Sequence, residues 1–156
     1  MSAEERRELE RREAELIRAL GGGPSPPGVD SERMRLAAEA VAGKRARLVR
    51  HGWPALTLEL GERFETMFVD YVKAEPGGEE AIADGLLFAR RLDGLALLKD
   101  EARVEARLVA AEWRVVHGRA VRRRAPYVAA VRVRRPRRVV LIWRLGGRVR
   151  HLTIRR

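Results

Sequence analysis

The sequence predicts an α+β protein: a helical domain of about five helices over residues 1–117, then a small three-stranded antiparallel sheet over 118–156. Three observations carry this reading. Apolar residues recur at spacings of three and four as far as Val116, as in helices that bury one face. Beyond residue 118 they become β-branched or aromatic and fall into short runs separated by Arg135-Pro136 and Gly146-Gly147. The charge changes in the same region. Residues 1–100 hold 16 basic and 19 acidic side chains, whereas residues 101–156 hold 17 and 3.

The first helix is expected over 3–20, with Leu9, Leu16, Ile17 and Leu20 as a sparse stripe. Gly21-Gly22-Gly23 stops it, and the prolines of 24–28 cannot continue it. Asp30 or Ser31 can cap a second helix over 31–50, which His51-Gly52 breaks. Trp53-Pro54 opens a third, because proline is tolerated in a first turn. Leu60, Phe64, Met67, Phe68, Tyr71 and Val72 make it the strongest stripe in the chain, and Glu75-Pro76-Gly77-Gly78 ends it. Two further helices are expected over 79–92 and 94–116, the last carrying Leu98, Ala102, Val109, Trp113 and Val116 on one face and stopping at His117-Gly118.

The three strands are Tyr127–Arg134, Arg137–Leu145 and Arg148–Arg155. If Gly146-Gly147 are the two turn residues, Trp143 pairs with Arg150, Leu141 with Leu152 and Val139 with Ile154. Trp143 and Arg150 then face one another at cation–π distance. Alternation puts Arg148 and Arg150 on the Trp143 face and Arg144 on the other. A turn at Arg135-Pro136 adds Arg132 and Arg134, so that one end of the face becomes an arginine patch around an aromatic ring.

At 156 residues the chain fits one compact domain, or one with a small appendage. It lacks cysteine, which removes disulfides, thiolate metal sites and cysteine nucleophiles. No apolar run of about 18 residues would span a membrane, and no apolar stretch behind the N-terminus reads as a secretory signal, so a cytoplasmic location is expected. The cations are 30 Arg against 3 Lys, with no Asn or Gln, a bias that suits GC-rich coding and a protein that works hot.

Catalytic constellations are missing from the pattern. Ser2, Ser25 and Ser31 lie in expected tails or helix starts, and Gly21-Gly22-Gly23 lacks the Lys-Ser/Thr of a phosphate loop. His51, His117 and His151 are not at metal-ligand spacings, and the first two adjoin glycines at expected helix ends. The carboxylates sit in Glu/Arg mixtures typical of solvated helix faces. The expectation is a protein that is not an enzyme, with no metal and no cofactor.

After Glu112 there is no acidic residue, while 15 arginines follow. Guanidinium forks bind phosphates and carboxylates bidentately, and nothing within this stretch competes. Three destinations stand open: a nucleic-acid backbone with Trp143 or Tyr127 for stacking, an acidic peptide or protein surface, or the protein's own acidic helices.

The run Lys44-Arg45-Ala46-Arg47-Leu48-Val49-Arg50-His51-Gly52-Trp53-Pro54 leads into Leu60-Gly61-Glu62-Arg63-Phe64, Phe68-Val69-Asp70-Tyr71, Glu75-Pro76 and Gly85-Leu86-Leu87-Phe88. This order, over roughly residues 9–92, resembles a bacterial helical family labelled as a DNA-binding domain. Its members form the N-terminal half of partner proteins of multinuclear non-haem iron-dependent oxidases. Those oxidases modify cysteines in ribosomally made precursor peptides, bufferin-type copper peptides among them. The chain as a whole also resembles short actinobacterial proteins that accompany such oxidases. Where the family starts its basic helix with a Tyr-Arg-Asn-type step, this chain has Ala37-Ala38-Glu39-Ala40.

The resemblance implies a non-catalytic accessory protein that binds an iron oxidase and its precursor peptide. Lys44, Arg47, Arg50 and Trp53 become candidate oxidase contacts, Trp53 and Pro54 being readable also as core staples. Arg132, Arg134, Trp143, Arg148 and Arg150 become the candidate peptide or anion site. A nucleic-acid binder using the same arginines is the alternative.

Overall fold

Ser2 starts the first helix by accepting a hydrogen bond from the Glu5 N–H, while the Glu5 carboxylate accepts one from the Ser2 N–H. The computed structural model describes residues 1–21, 23–75 and 80–155. Helix α1 runs Ala3–Leu20 and α2 Ser31–Gly52, the latter capped by Asp30, whose carboxylate accepts from the Glu32 and Arg33 N–H groups. After these come α3 (Pro54–Leu60), α4 (Arg63–Ala74), α5 (Ala81–Gly94) and α6 (Asp100–Glu112). The strands are β1 (Trp113–Val116), β2 (Arg119–Arg122), β3 (Tyr127–Val133), β4 (Arg138–Leu145) and β5 (Arg148–Arg155). The α+β class holds, with six helices and then two antiparallel sheets, β1-β2 and β3-β4-β5, among the described residues.

Two differences from the expected pattern have local causes. The long third helix is two helices, because Gly61 adopts φ +55, a left-handed value that favours glycine. Its N–H bonds the Thr57 carbonyl to close α3, and its own carbonyl accepts from the Phe64 N–H to open α4. The last helix stops at Glu112 rather than 116. Trp113 and Val116 belong instead to β1, which pairs Trp113 with Arg122 and Val116 with Arg119. His117 and Gly118, at φ +49 and +78, form the two-residue turn that antiparallel strands require. The hairpin signal is present there in the sequence, hidden under a helical spacing. The expected stop at Glu75-Pro76-Gly77-Gly78 lies outside the described residues after Glu75, and so does Gly22.

The chain divides into two units, Met1–Ala46 with Glu65–Gly77, and Arg47–Phe64 with Gly78–Arg156. In the first, Ala19, Met34, Ala42, Phe68, Tyr71 and Val72 are buried, and the Phe68 and Tyr71 rings lie 5.8 Å apart.

In the second unit α6 packs against α3, α5, β3 and β4. Small side chains make this possible, since Ala102, Ala106 and Ala111 are its buried residues and allow close approach. Helices α3 and α6 also cap one another. Glu105 of α6 accepts from the Ala55 and Leu56 N–H groups at 3.1 and 2.8 Å, at an N-terminus whose own N-cap, Trp53, has no side-chain acceptor. Glu59 of α3 accepts from the Lys99 N–H at 2.7 Å, at the start of α6. Each carboxylate meets the positive end of the other helix's dipole. Helix α5 joins through Asp93, which pairs with Arg103 at 3.2 Å and Arg107 at 2.7 Å.

The Trp53 indole is inserted against α5 at Gly85, where an added Cβ would lie 2.0 Å from Nε1. Gly85→Ala is therefore expected to destabilise the protein by about 3 kcal/mol, an overpacking cost that outweighs alanine's helix preference. Gly52→Ala, with nothing within 4 Å of its added Cβ, is expected to change stability by less than about 1 kcal/mol. Chemical denaturation of both variants checks the contrast; equal losses would contradict it.

Burial raises the Glu59 carboxyl above its ordinary 4.5, with Asp100 adding to the rise and the Lys99 N–H bond and ammonium opposing it. A raised folded-state value means that the native state holds the proton more tightly. The group's contribution is thus present at low pH and lost as pH rises through the raised value. Glu59→Gln keeps an oxygen acceptor for Lys99. Its stability relative to the parent should climb as pH rises from the ordinary 4.5 through the raised value, and a pH-independent difference would refute this assignment.

Candidate functional site

Strand alternation sorts the side chains of the three-stranded sheet onto two faces. Val131, Val133, Val140 and Ile142 point inward and, with Ala111 of α6, form one buried cluster bordered by Val104, Leu108, Tyr127 and Val149. The opposite face carries Trp143 and is open. Both hairpins have the expected register: Val133 pairs with Arg138, and Trp143 with Arg150. Gly146 and Gly147 take φ +59 and +86 at the second turn, and the Arg135–Pro136 peptide at the first is cis.

Rows of cross-strand neighbours build the open face: Val128–Trp143–Arg150, Ala130–Leu141–Leu152 and Arg132–Val139–Ile154. Leu145 and Arg148 extend it at the glycine turn. Val128, Leu145, Leu152 and Ile154 are exposed, Val128 at 77%. Arg132, Arg148 and Arg150 are exposed too, and no hydrogen bond or ion pair holds their guanidiniums among the described residues.

This layout changes the expected patch in one respect. Arg132 lies opposite Val139, whereas Arg150 lies opposite Trp143, four residues away along β4. At roughly 3.3 Å per residue that is roughly 13 Å. Arg148 and Arg150 adjoin Trp143, while Arg132, with Arg134 just beyond its strand, marks the far end. The cations bracket an apolar strip instead of ringing the indole. Trp143 and Arg150 do stand opposite one another, but the cation–π contacts of this region are Arg122 over Trp113 and Arg123 over Tyr127, each at 5.1 Å.

Other arginines of the basic third are taken up by α6. Arg122 pairs with Glu112 at 3.4 Å, Arg138 pairs with Glu101, and Asp100 accepts from the Arg134 backbone N–H at 3.0 Å. Internal docking, one of the three open destinations, thus accounts for Arg122 and Arg138 and not for the open face. Alternation sorts Arg144 to the inner face, away from the expected site, and there it is 8% exposed. Its parity is the one sequence signal for that placement.

A family model described as SCO6045-like, C-terminal domain, matches residues 10–94. The chain belongs to that family. The matched segment runs from within α1 to the end of α5, so α6 and both sheets lie beyond it. That description names no activity. No curated protein and no solved structure matches the chain.

Lys44, Arg47, Arg50 and Trp53 all fall in the SCO6045-like segment. The three cations are exposed on α2, Lys44 in the first unit and Arg47 and Arg50 in the second. The Arg50 guanidinium stands 5.5 Å from the Phe64 ring centre. Trp53 is 2% exposed, so of its two readings the structure shows the core staple. His51 sits in the last turn of α2, His117 in the β1–β2 turn and His151 on β5. Among the described residues no group of three or more His, Asp or Glu could hold a metal ion, and no helix is long and apolar enough to cross a membrane.

Proposed function

We propose that this protein is a non-catalytic accessory factor that binds a multinuclear non-haem iron-dependent oxidase and the ribosomally made precursor peptide which that oxidase modifies. The observation that carries the reading is the open sheet face, with unpartnered arginines at both ends of an apolar strip. Beside it runs β5, whose outer edge pairs with no strand among the described residues. An extended acidic segment can add its backbone to that edge while its carboxylates meet Arg148 and Arg150. The apolar strip gives its other side chains a surface to cover.

The oxidase arm rests on the resemblance of residues 9–92 to oxidase partner proteins. Lys44, Arg47 and Arg50 supply its exposed cations. Trp53 acts from beneath by holding the start of α3, rather than by touching a partner.

Replacing Arg132, Arg134, Arg148 and Arg150 together with serine should weaken an acidic precursor peptide about tenfold or more while the melting temperature holds, since these side chains are solvated. Titrations at several salt concentrations separate the rival ligand. Each phosphate contact adds about −0.9 to the slope of log affinity against log salt, so a duplex held by six or more contacts would show a steep fall. A steep duplex slope with no peptide affinity would replace this reading with nucleic-acid binding. Unchanged peptide affinity would remove the sheet from the site. For the oxidase arm, a pull-down from nuclease-treated host lysate is expected to retain an iron oxidase.

A further inference from the structure

Strand β5 leaves an open edge eight residues long. Its ladder with β4 runs unbroken from Arg148 to Arg155, with no proline or bulge, and no strand pairs with its far side among the described residues. The two-residue glycine turn makes Leu145–Arg148 a hydrogen-bonded pair, so the backbone groups of Arg148, Arg150 and Leu152 point to β4. Those of Val149, His151 and Thr153 point to the open edge. An added strand therefore bonds through Val149 and His151, and its residues opposite them share their face.

That face looks into a cleft. Val149 and His151 stand opposite Arg144 and the buried Ile142, which puts both on the inner side of the sheet. A cleft of about 430 Å³ opens there, and the three-stranded sheet lines it through these two residues of β5. Ile82 of α5, Val109 of α6 and Trp113 of β1, all half-buried, supply apolar walls. Glu112, the carboxylate on the wall, is paired with Arg122 at 3.4 Å, and Arg122 also lies over the Trp113 ring at 5.1 Å. An acid entering the cleft would meet a cation already engaged, whereas an apolar chain would cover apolar surface. The outer side of β5 offers the reverse, with Arg148 and Arg150 exposed.

We infer that the cleft is an apolar subsite of the peptide site, and that the ligand is an extended segment alternating acidic and apolar residues. Its acids meet Arg148 and Arg150 on the outer face, and its apolar side chains enter the cleft beside Val149 and His151. The inference rests on the acidic-peptide reading above and gives the ligand its pattern. Charge disfavours a second copy of this chain at the same edge. Strand β5 carries Arg148, Arg150, His151 and Arg155 and no acid, so two copies would set cations against cations.

Two fluorescein-labelled probes test the pattern: four repeats of Glu-Val and four of Glu-Thr, equal in charge and matched to the length of β5. Valine and threonine have nearly the same shape, so the comparison isolates apolar burial. The parent should bind the Glu-Val probe about tenfold or more tightly than the Glu-Thr probe. Ile82→Glu should abolish that preference, because it sets a carboxylate in the cleft at the first turn of α5, where the helix dipole tolerates it. Val109→Ser, a smaller change on the α6 wall, should shrink the preference if Ile82→Glu fails to fold. Equal affinity of the parent for both probes would overturn the inference and leave the acidic-peptide reading standing. An undiminished preference in folded variants would do the same, by placing the valines on the outer strip. If the parent binds neither probe, both fall together.

Discussion

Glu105 ties α3 to α6, and the second unit is arranged around that tie. The start of α3 comes after Trp53-Pro54 and has no local cap, so its free N–H groups must find an acceptor elsewhere. They find it 49 and 50 residues along the chain, in one carboxylate of α6. Glu59 returns the bond to the start of α6. This exchange fixes where Pro54 begins its helix and therefore where the preceding indole lies. Gly85 provides the notch, since any Cβ there would collide with the ring. One polar exchange and one steric notch set the position of three helices.

For function, the consequence is a division of labour within α6 and the sheet. The alanines of α6 admit close packing, and its acids collect Arg122, Arg138 and the end of β3. The inner face of the sheet is closed over β3 and β4, and its outer face is left with cations that no described residue neutralises. An acid-free stretch of sequence thus becomes two populations of arginine. One is paired with the acids of α6. The other is external and available.

The legible parts of the fold were those governed by neighbours in sequence. Gly146-Gly147 specified a hairpin whose register could be counted out residue by residue, and the same counting placed Trp143, Arg148 and Arg150 on one face. The illegible parts depended on distant partners. Gly61 looks like any glycine in a helical stripe until its positive φ splits the helix. Trp113 and Val116 fit a helical spacing as well as a strand, and the pairing with Arg122 and Arg119 decided between them. Glu105 sits among surface-like Glu/Arg mixtures and gives no local sign that it caps a helix begun by Pro54. For the site, alternation gave the face of each arginine but not the 13 Å or so along the strand that separates Arg132 from Arg150. Nor could it show that Arg144 would be only 8% exposed.

Amide hydrogen exchange, measured with and without a saturating acidic peptide, addresses the central claim most directly. If the open edge and the arginine-bearing face are the site, added protection will concentrate in β5, from Arg148 to Arg155, with little change in α2 or α5. Protection confined to α2, or none in β5 at saturation, would contradict the account and move the ligand off the sheet.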